Sequence, residues 1–69
     1  MTLKERRLDA GLSQMMLAAA IDVSQVAVSH WETGQAKPLK KHLRRLARVF
    51  ECDAEEVMGN DGQEVESRS

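Results

Sequence analysis

Apolar residues recur at helical spacing through residues 14–34, QMMLAAAIDVSQVAVSHWETG. In each half of this segment the apolar side chains gather on one face of a helix. The residues that form the two faces are Leu17, Ala18 and Ile21 in the first half and Val28 and Trp31 in the second. The pattern predicts two short helices, one over residues 14–20 and one from residue 24 or 25 to residue 33.

A turn of three residues, Ile21, Asp22 and Val23, joins the two predicted helices. Its apolar members point inward and Asp22 takes the bend, because Asp tolerates a left-handed backbone better than most residues do. Ser13 and Ser24 stand where N-caps are needed, since a serine hydroxyl accepts a hydrogen bond from an amide of the first helical turn. Two helices joined in this way cross steeply around a small apolar centre, as in proteins that enter the DNA major groove.

The segment before this pair is predicted to be a first helix. Leu3, Arg7 and Leu8 stand at helical spacing, and Gly11 is typical of a helix end. This helix is expected to cover residues 2–10.

Two further helices are predicted after residue 34. The pair Lys37 and Pro38 is typical of a loop that leads into a helix, and the fourth helix then runs to residue 50. Its inward positions are Leu39, Leu43, Leu46, Ala47 and Phe50. Asp53 and Glu56 resemble a capping box and predict a short fifth helix over residues 54–58.

Length and composition fit one small domain with no room for a second. A chain of 69 residues is close to the shortest that builds a core without disulfides or metals. One Cys and two His exclude an internal disulfide and a four-ligand zinc site, so neither a metal nor another cofactor is expected. Cys52 is expected to be buried as a small apolar residue in a reducing cytosol.

No membrane or export segment is recognised in the sequence. No apolar run approaches the ~18 residues of a membrane helix, and the charged N-terminus is unlike a secretory signal. We therefore expect a cytoplasmic protein without membrane or small-molecule partners.

Charge is distributed unevenly, although the formal net charge is only −1. Residues 35–48 contain six basic side chains and no acidic one, namely Lys37, Lys40, Lys41, Arg44, Arg45 and Arg48. Such a segment is typical of phosphate binding, and the alternative is a solvated helix face. Residues 59–69 contain three acidic residues against one basic, a net −2, and are predicted to be an acidic, disordered tail after a domain over residues 1–58.

Residues 3–58 resemble the XRE-type helix-turn-helix repressors, the DNA-binding domains of lambdoid phage repressors and Cro proteins. The resemblance is carried by residues 14–34, by the opening LKERRLDAGLSQ, by WETG with the KP after it, and by the ending LRRLARVFECDAEEVMG. It implies an all-α, five-helix lambda-repressor-like fold in a prokaryotic cytoplasm, with helices 2 and 3 as the helix-turn-helix. The family usually has Gly where this chain has Asp22, and Asp fits the same backbone at modest cost.

The resemblance also implies that helix 3 lies in the major groove with its N-terminal end deepest. On a helical wheel with Val28 and Trp31 as the buried pair, the outward positions are Val26, Ser29, His30 and Thr33, and Gln25 stands at the N-terminal tip. In the family, the positions that match Gln25, Val26, Ser29 and His30 read base edges.

Each of the four candidate base readers offers a different contact. Gln25 donates and accepts at once, which suits the N7 and N6 edge of adenine, and Val26 offers methyl groups to the thymine methyl. Ser29 hydrogen-bonds a base or a phosphate, and His30 donates from a ring nitrogen to a guanine or phosphate acceptor. The alternative for each is an idle surface side chain.

Phosphate contacts are expected from polar and basic residues around this face, namely Gln14, Ser24, Gln35, Lys37, Lys40 and Lys41. The remaining arginines of helix 4 lie further along it and are not assigned to the site. In the family, the residues that match Arg7 and Glu32 form a partly buried ion pair between helices 1 and 3. This pair is therefore expected to stabilise the fold and not to touch DNA.

The expected function is sequence-specific binding of double-stranded DNA by a transcriptional regulator, as a Cro-type repressor. A weak dimer would bind a near-palindromic operator, with a dimer contact at the fifth helix and at the connection from helix 4 to it, through Val57, Met58 and Phe50. An enzyme is not expected, because the adjacent Ser29 and His30 point about 100° apart on a helix and no Gly-rich phosphate loop or carboxylate dyad is present.

Two other classes of protein share parts of this pattern. An antitoxin or co-regulator uses the same fold mainly for protein binding, but the eleven residues after the domain are few for wrapping a toxin. A sequence-independent architectural DNA binder would be basic overall and would not need a reading face of Gln, Val and His.

Overall fold

Four α-helices and one 3₁₀ turn make up residues 1–57, the part of the chain that the computed structural model describes. The elements are α1 (Leu3–Asp9), α2 (Gln14–Ile21), α3 (Gln25–Thr33), α4 (Lys40–Phe50) and the 3₁₀ turn Ala54–Glu56. Within these residues no strand occurs, and the all-α prediction is confirmed. The expectations for Met58, for the end of the domain and for the tail over residues 59–69 lie outside the described residues.

Side-chain caps begin the first three helices. Thr2 and Glu5 form a reciprocal capping box at α1, in which the Thr2 N–H donates to Glu5 Oε1 at 2.9 Å and the Glu5 N–H donates to Thr2 Oγ1 at 3.1 Å. The hydroxyls of Ser13 and Ser24 accept from the third amides of α2 and α3 at 3.0 and 3.1 Å, as predicted. Thr2 therefore precedes α1 and Ala10 follows it as the C-cap, so α1 is shorter than the predicted helix over residues 2–10.

The turn between α2 and α3 has the predicted conformation. Asp22 has φ 62° and ψ 50°, which is the left-handed region, and it ends α2. Ile21, predicted as the first residue of the turn, is instead the last residue of α2 and is 1% exposed, while Val23 packs against the core, so both apolar residues point inward. The helix-turn-helix therefore forms from local signals that the sequence contains.

The core lies between α2 and α3 and is closed by the other elements. Its buried apolar residues are Leu3, Leu17, Ala18, Ile21, Val28, Trp31, Leu46 and Val57. All five positions predicted from the spacing within residues 14–34 are among them. Burial of the α3 pair Val28 and Trp31 determines which face of α3 remains outward.

Four apolar positions differ from the prediction. Leu8 and Leu39 are 56% and 60% exposed, Cys52 is only half-buried, and Val57 is fully buried. Leu39 precedes α4 as its N-cap residue, so the helical spacing that assigned it inward does not apply to it. Leu8 lies about 100° around the helix from the buried Arg7. Val57 is enclosed in the core and is not available for the dimer contact that the sequence suggested.

The fifth helix is not confirmed within residues 1–57. Residues 54–56 form a single 3₁₀ turn, closed by the Glu56 N–H on the Asp53 carbonyl at 2.9 Å. Asp53 makes no side-chain cap hydrogen bond, so the capping box inferred from its spacing to Glu56 is wrong. The Glu56 carbonyl accepts from Nε and Nη2 of Arg6 at 3.2 and 2.9 Å, which joins the 3₁₀ turn to α1.

Arg45 joins α4 to α2. Its Nη1 donates to the carbonyl of Ile21 at 3.0 Å, at the C-terminal end of α2 where helical carbonyls lack an internal partner. The sequence left this arginine unassigned, and the structure gives it a role in packing.

Candidate nucleic-acid interface

The outer face of α3 carries the four residues expected to read bases, Gln25, Val26, Ser29 and His30. The two in the first helical turn are exposed and the two in the next turn are half-buried. Among these four residues, the two at the N-terminal end of α3 are therefore the more accessible. Val26 is 60% exposed, so its methyl groups are available for an apolar contact.

Thr33 lies on the same outward arc, but its hydroxyl is directed at the backbone of its own helix. Its Oγ1 is 3.1 Å from the carbonyl oxygen of Ser29 and 3.3 Å from that of His30, and it donates to this backbone. The proton of the Thr33 hydroxyl is therefore used within α3.

Gln14 and Gln25 are joined although they lie on different helices. Gln25 Nε2 donates to Gln14 Oε1 at 3.4 Å, and Gln14 Nε2 donates to Glu32 Oε1 at 3.0 Å. Gln14 was expected only to contact phosphate, yet it is half-buried and uses both ends of its amide within the protein. One N–H of Gln14 remains for a phosphate oxygen.

Arg7 and Glu32 form a two-point ion pair between α1 and α3. Arg7 Nε lies 2.6 Å from Glu32 Oε2, and Arg7 Nη2 lies 3.1 Å from Glu32 Oε1. The two side chains are only 8% and 4% exposed. Arg7 Nη1 also donates to the carbonyl of Leu12 at 2.9 Å, so the guanidinium holds α1, the following loop and α3 together.

The environment of Glu32 keeps its carboxylate ionised. Burial by itself raises the pKa of Glu32, but the hydrogen bonds from Arg7 and Gln14, together with the positive charges of Arg7 and Lys4, outweigh burial. The pKa of Glu32 is therefore below its ordinary value of 4.5. At neutral pH this carboxylate accepts hydrogen bonds and donates none.

Exposed cationic side chains surround the C-terminal end of α3 and the start of α4. The candidate phosphate contacts there are Gln35, Lys37, Lys40 and Lys41, all of which are exposed. The backbone N–H of Gln35 donates to the His30 carbonyl at 2.9 Å, which positions this loop against α3. Ser24 is exposed as well, and its hydroxyl already accepts from the third amide of α3.

The basic surface continues along α4 beyond the lysines. Lys41, Arg44, Arg45 and Arg48 line one shallow, open depression. Their spacing of three and four residues places them on one face of α4.

His42 closes the first turn of α4 and packs on Trp31, a role that the sequence did not predict. Its Nδ1 accepts from the Leu39 N–H at 3.3 Å, and its ring lies 5.2 Å from the Trp31 ring, centroid to centroid. Burial, followed by the charges of Lys41 and Arg45, lowers the pKa of His42, so the neutral ring that can accept is the favoured form. Its place three residues after the N-cap of α4 was the available signal, since side chains at that position bond back to the cap.

Within residues 1–57 there is no cluster of metal-binding side chains and no membrane-spanning helix. In that part of the chain no three His, Cys, Asp or Glu side chains are close enough to hold a metal ion. No described helix is both long and apolar enough to cross a membrane.

Comparison with known proteins gives a family match over most of the chain. A helix-turn-helix family model matches residues 3–57, which includes α1 through the 3₁₀ turn. The chain belongs to this helix-turn-helix family. The match agrees with the XRE-type resemblance that the sequence motifs indicated.

Two relatives are named as regulators of transcription. The chain is 34% identical over 59 residues to the HTH-type transcriptional regulator DicA of Escherichia coli (strain K12), a match that covers 86% of this chain and 44% of DicA. It is 30% identical over 71 residues to the HTH-type transcriptional activator BcrR of Enterococcus faecalis, covering 97% of this chain and 35% of BcrR. The chain therefore spans less than half the length of either relative.

A solved structure shares the fold. The P22 c2 repressor, crystallised with a synthetic operator, superposes with a TM-score of 0.76 and 27% identity over 81% of this chain and 85% of the repressor chain. The lambda-repressor-like helix-turn-helix arrangement is thus shown for this protein.

Proposed function

We propose that this protein binds double-stranded DNA in a sequence-specific manner, with α3 in the major groove. The observation that carries the proposal is the outer face of α3, where exposed polar and apolar side chains stand at the helix start and the opposite face is buried. The similarity to the P22 c2 repressor, whose structure contains an operator, supports the same docking.

Base recognition is assigned to Gln25, Val26, Ser29 and His30. Gln25 and Val26 are the most accessible of the four and suit adenine and the thymine methyl. Ser29 and His30 are half-buried, and each is assigned to a hydrogen bond with a base or a phosphate.

Phosphate binding is assigned to residues that border this face, Gln14, Ser24, Gln35, Lys37, Lys40 and Lys41. Residues 35–48 contain no acidic residue that would repel phosphate. The charge of this segment is the reason that a chain of net charge −1 is nevertheless suited to DNA.

We further propose a Cro-type repressor in a prokaryotic cytoplasm that binds a near-palindromic operator as a weak dimer. One recognition helix reads few base pairs, so two copies one helical turn apart give the selectivity that a regulator needs. Because Val57 is buried, the proposed dimer contact uses exposed residues in its place. The similar proteins include both an activator and a repressor, so they do not give the direction of regulation. Repression is therefore a part of this proposal.

The test is fluorescence anisotropy with a randomised duplex pool and with a palindrome selected from it, over a salt series. We expect tight binding to the palindrome, and we expect Gln25→Ala to relax the preference at one base position with little change in the salt slope. Gln35→Ala is the matched comparison, since loss of a phosphate contact weakens binding to all sequences alike. Equal weak binding to every duplex would contradict the proposal.

A protein-binding role as antitoxin or co-regulator is the second candidate. It is favoured by Met15 and Met16, which are 64% and 52% exposed on α2, since flexible methionines suit protein contacts. This candidate predicts weak DNA binding that does not change with Gln25→Ala.

A further inference from the structure

A chain of hydrogen bonds leads from the buried ion pair to the exposed amide of Gln25. Glu32 Oε1 accepts from Arg7 Nη2 at 3.1 Å and from Gln14 Nε2 at 3.0 Å. Gln14 Oε1 accepts from Gln25 Nε2 at 3.4 Å. This series of hydrogen bonds therefore begins at the nearly inaccessible carboxylate of Glu32 and ends at Gln25, the first residue of α3.

Each link of this chain has only one permitted direction. A guanidinium only donates and an ionised carboxylate only accepts. Gln14 must therefore turn its amide nitrogen toward Glu32, which leaves its carbonyl oxygen for Gln25. Because that oxygen only accepts, Gln25 must give it one of its two N–H groups.

We propose that Glu32, acting through Gln14, orients the Gln25 amide so that Gln25 reads adenine and rejects guanine. The inference rests on the proposed position of α3 in the major groove. With one N–H bound to Gln14, Gln25 retains one N–H and its carbonyl oxygen for a base.

The two purines differ at the atoms that this pair would meet. Adenine presents the N7 acceptor and the N6 donor, whereas guanine presents two acceptors, N7 and O6. One N–H and one carbonyl oxygen complement adenine and bring two oxygens together at guanine. A glutamine with an unconstrained amide has a second N–H to offer and discriminates less. Glu32 and Gln14 are thus positioning residues for base choice.

Glu32→Gln removes the group that fixes which side chains donate and which accept in this series of hydrogen bonds. A glutamine at this position donates as well as accepts, so Gln14 is able to turn over and give an N–H to the Gln25 carbonyl. Gln25 then has both N–H groups for the base, an arrangement that suits guanine. Gln14→Met releases Gln25 in a second way and leaves the pair of Arg7 and Glu32 intact.

The experiment begins with duplexes selected from a randomised pool by the whole chain. The position at which Gln25→Ala relaxes the selection is the base pair that Gln25 reads. Anisotropy then gives the affinity for the selected duplex with adenine and with guanine at that position. We expect the wild type to prefer adenine by about tenfold or more, and Glu32→Gln and Gln14→Met to lose most of this preference.

Arg7→Lys is the matched control, because it weakens the ion pair and leaves Glu32 a carboxylate that only accepts. We expect a lower free energy of unfolding and an unchanged ratio of adenine to guanine affinity. An equal loss of the ratio in Arg7→Lys would assign the effect to loosening of the fold and overturn the inference. If Glu32→Gln does not fold, Gln14→Met still tests the link from Gln14 to Gln25, and a preserved ratio there overturns the inference.

Other outcomes separate this inference from the proposed function. A preserved ratio in folded Glu32→Gln or in Gln14→Met, or a relaxed position that is not adenine in the selected site, would overturn the inference and leave sequence-specific binding in place. No preferred duplex for the wild type would overturn the proposed function itself.

Discussion

Two polar regions of this domain differ in what holds their side chains. Behind α3, the side chains of Arg7 and Glu32 are over 90% buried and paired at 2.6 Å, and Gln14 is bonded to the same carboxylate. Along α4, Lys40 and Lys41 are exposed, and no ion pair holds them within residues 1–57. The first region has fixed geometry, and the second has charge with little geometric constraint.

The difference separates the two tasks of a DNA-binding domain. Charges on an exposed surface attract phosphate without regard to sequence, and salt screens them. Hydrogen bonds in a buried network are directional and are screened much less. We therefore expect the network behind α3 to control stability and base choice, and the α4 surface to control affinity and its salt dependence.

The largest expected effect is that of Glu32→Ala on stability. It leaves the Arg7 guanidinium buried without its charged partner, and such changes cost about 3 to 5 kcal/mol. Urea unfolding followed by circular dichroism measures the free energy of unfolding. A loss of this size is comparable with the whole stability of many small domains, so we expect the variant to be partly unfolded at room temperature.

Glu55→Ala is the control for charge alone, because Glu55 is an exposed acid in the 3₁₀ turn. We expect its free energy of unfolding to lie within about 0.5 kcal/mol of the wild type. If both variants lose the same small amount, the ion pair does not hold α1 to α3 and the contrast between the two regions fails.

The second prediction concerns the α4 surface and the doubly substituted Lys40→Ala, Lys41→Ala variant. Two lost phosphate contacts reduce the slope of log affinity against log salt by about 2 and weaken binding by about fiftyfold near 0.1 M salt. The preference among sequences stays the same, because no base contact is removed. Anisotropy on the selected and on an unrelated duplex, over a salt series, measures both quantities.

Arg48→Ala is the comparison within the same helix. Arg48 is exposed near the far end of α4, and we expect the salt slope to change by less than about 0.5. An equal change in slope for Arg48→Ala would show that the whole basic face contacts DNA. A change in base preference for the lysine variant would remove the proposed division between the two regions.

The same contrast explains how much the sequence predicted. The helices around residues 14–34, the caps Ser13 and Ser24 and the left-handed Asp22 depend on neighbours within four residues, and their positions were predicted correctly. The exposure of Leu39 was not, because spacing alone does not tell whether a residue precedes a helix or belongs to it.

Contacts between distant segments were beyond the sequence pattern. The bond from Gln14 to Glu32 spans 18 residues, and the bond from Arg45 to Ile21 spans 24. Periodicity states which face of a helix is buried but not which polar atom of another helix it meets. The ion pair was expected only because the family resemblance implied it, whereas the use of Gln14 as a link to Gln25 required coordinates.

The smallest expected effect concerns His42, which lies where the core and the basic surface meet. Burial, then the charges of Lys41 and Arg45, lowers its pKa from the ordinary value of 6.5. As pH falls through 6.5, the unfolded chain binds a proton at this histidine more readily than the folded chain does. The contribution of His42 to the free energy of unfolding is therefore largest above pH 6.5 and decreases as pH falls below 6.5. It stops changing once His42 is protonated in the folded state as well.

Urea unfolding midpoints from about pH 8 to about pH 5 measure this decline, in a range above the titration of Glu32. His42→Gln is the matched variant, because a glutamine oxygen at this position accepts from the Leu39 N–H and has no charge to gain. We expect its midpoint to depend less on pH than that of the wild type. An identical pH dependence in both proteins would mean that the His42 ring is solvated in the folded state like the lysines beside it. His42 would then belong to the exposed basic surface of α4 and not to the buried region behind α3.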